Sequence, residues 1–435
     1  MVVLKWLYPG MKIKRWLFLA LASFLIALLG VDLSMKGGLL GDFAHSLHHW
    51  ENIFLGDGYS KPVGIVIVIA GLGTMVLSIL KAFHSIASAL APGEEDQAAD
   101  IIYARQSLKR GPKIVVIGGG TGLSVLLRGL KKHTSNLTAI VTVADDGGSS
   151  GRLRGELGIL PPGDIRNCLV ALADKEPLME ELLQYRFSNG GLAGHSMGNL
   201  LLAALADITG RFDLAVRNLS KVLAIRGQVL PATLSDVTLY AELMDGRVVK
   251  GESKIPLANG VIKRVYLKPS RCLPLAGALT AIAEADAIVL GPGSLYTSII
   301  PNLLVKGIPE ALARAQATKI YVCNVMTQPG ETVGYTASAH LQAIINHTGK
   351  LLDYVILNNG EILPRLLFRY LHEGAEPVRA DISEIKRLGV KVVSSDFIYK
   401  TDVVRHHPDR LAGAILELVN PDKVPQGEKM YLRGL

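Results

Sequence analysis

Two stretches near the N-terminus carry no charged residue. Trp16 to Val31 reads WLFLALASFLIALLGV, and Pro62 to Leu80 reads PVGIVIVIAGLGTMVLSIL. As helices at ~1.5 Å per residue they reach roughly 24 and 28 Å, close to the ~30 Å hydrocarbon thickness of a bilayer. Lys5, Lys12, Lys14 and Arg15 precede the first run. Lys81, Arg105, Lys109 and Arg110 follow the second, and only Lys36 and Lys61 lie between. The positive-inside bias therefore predicts a two-helix transmembrane hairpin over residues 1–90 with both ends in the cytoplasm. That makes a multi-pass protein of the cell membrane, held through residues 16–80, with its main domain cytoplasmic. Trp6, Trp16 and Trp50 fall at the span edges, where amphipathic rings prefer the interface. Gly64 and Gly71 are seven residues apart on one helical face, which lets the second span pack closely on the first. A cleaved signal peptide is the alternative for the first run, but no A-x-A site follows it. His45, His48 and His49 read as a polar loop face rather than a metal site.

The pattern changes after residue 90. Residues 91–112 mix charges, end in Gly-Pro and read as a partly helical linker. From Lys113 onward, short apolar runs alternate with helical periodicity. Candidate strands are 113–117, 137–143, 286–290, 319–325 and 353–357. Their almost unbroken apolar character predicts an α/β body over 113–435, with a parallel sheet covered by helices on both faces. Residues 237–267 differ: VTLYAEL, then Asp245-Gly246, then RVVKGE predicts a hairpin, with VIKRVYL as a further strand. This is a small antiparallel insert.

Composition narrows the picture. Of 435 residues, 49% are hydrophobic and 19% charged, too apolar for a purely soluble enzyme and too charged for a polytopic transporter. Cys168, Cys272 and Cys323 are far apart with no CxxC, which excludes a disulfide framework or a thiolate zinc site. The pI is about 9.2, but the basic residues are scattered and no run interleaves them with stacking aromatics. The balance therefore indicates an anionic small ligand or a membrane surface, not nucleic acid.

The chemistry concentrates in loops. Gly118-Gly119-Gly120-Thr121-Gly122 follows the first body strand and opens a helix. Glycines allow a sharp turn and close ligand approach, and a helix N-terminus presents free N–H groups suited to phosphate. There is no GxxxxGK[ST], and Leu123 stands where GxGxxG has its third glycine. The second strand leads to Asp145-Asp146 and then to a glycine–serine loop with Ser149 and Ser150. Neighbouring carboxylates repel unless a cation neutralises them; Mg²⁺ bridging to ligand phosphates would do so. Asp164 is a further carboxylate at a helix start, either a metal ligand or an N-cap. A third loop, Gly291-Pro292-Gly293-Ser294-Leu295-Tyr296, again joins strand to helix, so a ligand would lie along the strand C-termini. Gly194-His195-Ser196-Met197-Gly198 has the letters of a nucleophile elbow but lacks the strand that an elbow needs. His195, Ser196 and Asn199 are better placed to cap a helix or line the ligand site. Asn324 and Thr327, with Glu331 and Thr332 beyond, follow a strand end and point to the same cleft.

Together, GGGTGL, DDGGSSGRLR, PPGDIRN, GHSMGN and GPGSLYTSIIPNL resemble the gluconeogenesis factor family (YvcK-like), related to 2-phospho-L-lactate transferase (CofD). The resemblance covers nearly all of 113–435 and implies a Rossmann-like body. It also implies binding of UDP-sugars, notably UDP-N-acetylglucosamine, and a role in cell shape and envelope metabolism, with envelope-synthesis enzymes as partners and a homo-oligomer as an open alternative. The transferase's metal-binding acids match Asp145 and Asp164. Tyr370 and Arg405 match segments that the gluconeogenesis factors use for the UDP-sugar. A tyrosine can stack on a base or sugar, and an arginine can grip a diphosphate. No motif in the sequence is identifiable as the flavin-precursor pocket of the transferase branch. Three readings follow: a membrane-tethered nucleotide-sugar binder, a Mg²⁺-dependent transferase of phosphorylated groups, and an NAD-binding protein that uses Asp145 or Asp146 on ribose.

Overall fold

The structure is a computed structural model. It describes residues 13–34, 60–90, 103, 106–174, 177–400 and 403–420. The chain divides into two units, one up to Gln106 and one from Ser107 onward.

In the first unit, helices Ile13–Ser34 and Ser60–Leu90 pack on each other. Both are long and apolar enough to cross a membrane. A seam of small residues brings their backbones together. A Cβ on Gly30 would lie 2.8 Å from the Gly64 carbonyl oxygen, and one on Gly71 would lie 2.9 Å from the Ala27 nitrogen. Between helices of this apolar character, a seam of small residues permits close van der Waals packing of the backbones. Gly64 and Gly71 thus both lie in the seam. Trp16, near the start of the first helix, has Lys81 of the second 4.9 Å from its ring centroid. The helices therefore run antiparallel, with cations gathered at one end. Trp6, Trp50, the three loop histidines and most of 91–112 lie outside the described residues.

The second unit contains β1 (Ile114–Gly118), β2 (Leu137–Val141), β3 (Gln228–Pro231), β4 (Thr238–Leu243), β5 (Val248–Lys250), β6 (Ile262–Lys268), β7 (Ala287–Leu290), β8 (Thr318–Val322), β9 (Tyr354–Asn358), β10 (Lys391–Ser395), β11 (Ile398–Lys400) and β12 (Val404–His406). Seven of them form one sheet in the order β10-β9-β8-β7-β1-β2-β3. Every pairing in it is parallel. Every residue of β1, β2 and β7 is buried. That follows from helices covering both faces, since neither side of these strands meets water. Five sheet strands lie where the apolar runs predict them. The run at 137–143 leaves the sheet after Val141, although the Thr142 N–H still donates to the Gly118 carbonyl at 3.0 Å. The two edge strands, β3 and β10, carry no such apolar run. QVLP and KVVSS are only partly buried because each has a neighbour on one side alone.

The insert is a three-stranded antiparallel sheet in the order β5-β4-β6, and Gly246 takes a φ of +87° at its predicted turn. Residues 107–111 pack on the body: the Asn136 Nδ2 donates to the carbonyls of Lys109 and Gly111 at 2.8 and 2.7 Å.

Candidate functional site

The chain order reverses in space at β1. From there the sheet proceeds to β2 and β3 on one side and to β7 through β10 on the other. Such a switch point opens a crevice beyond the C-termini of the two central strands, here β1 and β7. The two glycine loops leave those two strand ends, and they touch. A Cβ on Gly122 would lie 2.7 Å from the Pro292 carbonyl oxygen, and one on Gly293 would lie 3.3 Å from the Gly119 carbonyl oxygen. Asn302 ties the loops from beneath, its Nδ2 donating to the Gly118 carbonyl at 3.1 Å and to the Ser298 carbonyl at 2.7 Å. Gly119 precedes helix Gly120–Leu130 without a side-chain cap, and Thr121 is exposed at the helix mouth. Ser294 is half-buried where the second loop turns into the short helical segment Leu295–Ile299.

Asp164 reaches this glycine loop from the first turn of helix Gly163–Leu172. A Cβ on Gly119 would lie 2.5 Å from its Oδ2. The N-cap of that helix is Pro162, so the capping role considered for Asp164 falls away. Burial and the Asp145 charge push the Asp164 carboxyl up to about 7, against the Gly120 N–H, which favours its charged form. Asp145 accepts from the Gly147 N–H at 2.9 Å and faces Gly163. Glu252 comes from the insert, in the connection between β5 and β6. Burial, then Asp145, Glu331 and the other acids, raise its carboxyl to about 8. Glu331 is buried, accepts from Tyr296 N–H (3.3 Å), Thr297 Oγ1 (3.1 Å) and Gln328 Nε2 (2.6 Å), and is raised to about 7 by burial. Glu252 thus feels the charges of Asp145, Glu331, Asp164 and Asp146, and Asp164 feels that of Asp145. Among the described residues, no group of three or more His, Cys, Asp or Glu is arranged to hold a metal ion. A Mg²⁺ ion shared with ligand phosphates requires only one or two carboxylates. Asp145 and Asp164 fit that role, since their mutual repulsion is what a cation would relieve.

On the other side of the loops is a cavity of ≈ 190 Å³. Gly122, Pro292, Gly293, Asn324, Tyr370 and Arg405 line it with Val404 and His406. Five separate stretches of the chain converge here. The Tyr370 hydroxyl accepts from the Val404 N–H at 3.2 Å, which pins β12 and sets Arg405 beside it. Arg405 is exposed, and it has no ion pair among the described residues. Two larger cavities, of ≈ 510 and ≈ 370 Å³, lie at the opposite edge, by the N-terminal ends of β1–β3 and β8–β10. Open parallel sheets bind ligands at strand C-termini, so the smaller cavity is the relevant one.

Other predicted site residues have internal partners. The Asp146 Oδ1 accepts from the Ser253 N–H at 2.9 Å, so this carboxylate fastens the insert to the loop. Ser149 Oγ sits 3.0 Å from His195 Nδ1 and accepts from Asn199 Nδ2 at 3.0 Å. Burial, then Arg152, hold the His195 ring below the ordinary range. Ser196 caps helix Met197–Thr209 and accepts from Arg166 as well as from the Asn199 N–H. It is fully buried with no base on its hydroxyl, so there is no nucleophile elbow. Ser150 accepts from the Gly163 N–H at 3.1 Å. The Tyr296 hydroxyl pairs with Tyr335 at 2.9 Å, and burial pushes it well above the ordinary range. Thr327 accepts from the Glu376 N–H at 2.8 Å. Sequence reading missed Glu252, Arg166 and Asn302. Glu252 looks like an ordinary hairpin charge, whereas Arg166 and Asn302 lie inside motifs already singled out.

An all-parallel sheet of this order, with paired glycine loops at its switch point, defines a Rossmann-like α/β protein. The model of the family described as 2-phospho-L-lactate transferase CofD matches residues 114–398. The gluconeogenesis factor of Bacillus subtilis is 54% identical over 311 residues, covering 71% of this chain and 98% of that protein. A relative in Nostoc sp., whose gluconeogenesis-factor name is itself provisional, is 50% identical over 429 residues, 95% of this chain and 92% of its own length. A crystal structure of a UPF0052-family protein from Bacillus halodurans is 55% identical, with a TM-score of 0.69, over 71% of this chain and 99% of that one. The chain belongs to the gluconeogenesis factor family, within the wider CofD family.

Proposed function

We propose that the body binds a UDP-sugar, UDP-N-acetylglucosamine in the first instance, and acts as a membrane-tethered regulator of cell shape and envelope metabolism. The observation that carries this reading is the convergence on one cavity of two glycine loops, Asn324, Tyr370 and Arg405. The cavity is smaller than the ~300–1,000 Å³ of a whole ligand site. It takes one part of an elongated ligand, and the rest runs along the strand ends toward Asp145 and Asp164. Tyr370 offers a ring to a base or sugar. Arg405 offers a guanidinium to the diphosphate, and the helix N-terminus at Gly120 offers backbone N–H groups.

Asp164 stands where an anion would otherwise sit, so a phosphate there needs the carboxyl protonated or a cation between them. Mg²⁺ would supply charge neutralisation and orient phosphate oxygens. This carboxylate group also supports a second reading, a Mg²⁺-dependent transfer of phosphorylated groups. Binding and transfer draw on the same residues. Asp146 is engaged by the insert, which removes one of the two acids an NAD ribose would use.

Two helices able to cross a membrane support the tether, and the cations at one end of the hairpin support a cytoplasmic body. A tether would raise the local concentration of the body beside membrane-bound partners. The test is calorimetric titration of residues 107–435 with UDP-N-acetylglucosamine, GDP and NAD, with and without Mg²⁺, followed by a turnover assay. The crystallised Bacillus halodurans relative corresponds to this body alone, so the body is a suitable sample. Saturable UDP-sugar binding without turnover supports the regulator. Turnover supports the transferase, and tighter binding of NAD than of either nucleotide refutes both.

A further inference from the structure

The antiparallel insert has two unlike faces. Leu239, Ala241, Leu243, Val265 and Leu267 are buried on the inner one. On the outer face Tyr240 and Tyr266 are register partners, with stacked rings 5.4 Å apart and 13° between planes. The Lys268 ammonium lies 4.9 Å from the Tyr240 centroid and 6.0 Å from that of Tyr266. The Arg264 guanidinium lies 5.9 Å from the Tyr266 centroid. Lys250 of β5 is the register partner of Tyr240. An irregularity at Glu242/Leu243 lets both Lys263 and Arg264 reach Glu242, at 2.7 and 2.6 Å. The face thus sets one carboxylate against four exposed cations: Lys250, Lys263, Arg264 and Lys268. Lys250 and Lys268 have no ion pair among the described residues.

We propose that this face docks an acidic segment of a partner protein, whose Asp and Glu carboxylates engage Lys250 and Lys268. The charge excess supplies complementarity to an acidic surface, which favours encounter and orientation. The tyrosine pair holds the Lys268 ammonium in place by cation–π attraction, so less side-chain freedom is lost on binding. A single-stranded nucleic acid would need open ring faces on which bases stack. Here the rings stack on each other beneath two cations. A second copy of the chain joined about a two-fold axis would set this cationic face against itself. The inference does not depend on the nucleotide-sugar reading, yet it bears on the same site. The β5–β6 connection holds Asp146 through Ser253 and carries Glu252 to Asp145 and Asp164, so a docked partner sits one connection away from the carboxylates.

The experiment uses the full chain in nanodiscs of neutral lipid and reads fluorescence anisotropy. The probes are a labelled ten-glutamate peptide, a ten-lysine peptide and a ten-nucleotide oligouridylate. The glutamate peptide should bind, and more weakly as salt rises. Lys250→Glu combined with Lys268→Glu should weaken it at least about tenfold with only a small fall in the thermal midpoint, because both side chains are exposed and only an exposed cation–π contact is lost. Tyr266→Leu, which removes a ring from beneath Lys268, should weaken it several-fold. Absent binding of the glutamate peptide, or binding unchanged in the double variant, overturns the proposal. Oligouridylate binding that is tighter than peptide binding and lost in Tyr266→Leu reassigns the face to nucleic acid. Dimerisation of the wild-type chain that the double variant abolishes reassigns it to a second copy.

Discussion

Replacing Gly122 with alanine sets two known magnitudes against each other. Gly122 lies in the first turn of helix Gly120–Leu130, where alanine is favoured over glycine by about 1 kcal/mol. The added methyl, however, would sit 2.7 Å from the Pro292 carbonyl oxygen and 2.9 Å from its carbon. Reaching ordinary contact near 3.4 Å requires the second loop to retreat by 0.7 Å, the difference between those two distances. The obstacle is backbone rather than a flexible side chain, and overpacking of that kind costs about 1–3 kcal/mol. The net expectation is a loss of about 0–2 kcal/mol in stability, so the protein folds. Binding should suffer more. The same shift splays the two loops that line one cavity and misaligns the N–H donors of the Gly120 helix. Losing one charge-assisted hydrogen bond costs about 1.5–3 kcal/mol, or roughly 10- to 150-fold in affinity. Calorimetry with UDP-N-acetylglucosamine and thermal unfolding measure the two effects separately. Gly155, in helix Gly148–Leu157, is the control: nothing lies within 4 Å of its added Cβ. Gly155→Ala should leave affinity unchanged and stabilise by about 0.5–1 kcal/mol. A folded Gly122→Ala protein with wild-type affinity would refute the argument that contact between the loops builds the site.

Arg405→Ala should leave stability within ~0.5 kcal/mol, because the side chain is exposed, and should weaken UDP-sugar binding about 10-fold or more; unchanged affinity would remove Arg405 from the site. Asp164 has its folded carboxyl raised from an ordinary value of 3.8 to about 7. The native state therefore holds the proton more tightly than the unfolded chain, and stability falls as pH rises from about 4 to 7. Asp164→Asn should then raise the melting temperature in EDTA by an amount that grows across that window and levels off above it. A pH-independent difference contradicts this account. Gly71→Leu should separate the two apolar helices, because even a Cβ on Gly71 would lie 2.9 Å from the Ala27 nitrogen; retained proximity, measured by a disulfide engineered between them, would count against the seam. For topology, an impermeant thiol reagent applied to intact cells should label Ser46→Cys and not Ser107→Cys, and the reverse pattern would place the nucleotide site outside the cell.

Periodicity and glycine placement carried much of this fold. Parallel strands covered on both faces need apolar side chains on both, so β1, β2, β7, β8 and β9 appear in the sequence as nearly continuous apolar runs. The turn at Gly246 and the close approaches at Gly119 and Gly122 need residues without a Cβ, and the letters show them. The two apolar N-terminal helices are equally plain, because the length and lack of charge needed to cross a bilayer are properties of a segment alone. Other features belong to the tertiary structure. Edge strands β3 and β10 escape a local reading because a strand with one neighbour can be half polar. Asp145 and Asp146 are adjacent in the chain, yet one faces the glycine loop side and the other holds the insert. Only the packing of residues 251–253 against the loop separates them. Glu252 joins the acid group from about a hundred residues away, through a connection that locally resembles any hairpin. Tyr370 and Arg405 are neighbours because a hydroxyl accepts from the Val404 N–H, a contact no spacing could encode. Local patterns record what each segment must bury. Which side chains meet is decided by the order of the strands in the sheet, and that order exists only once the whole chain has packed.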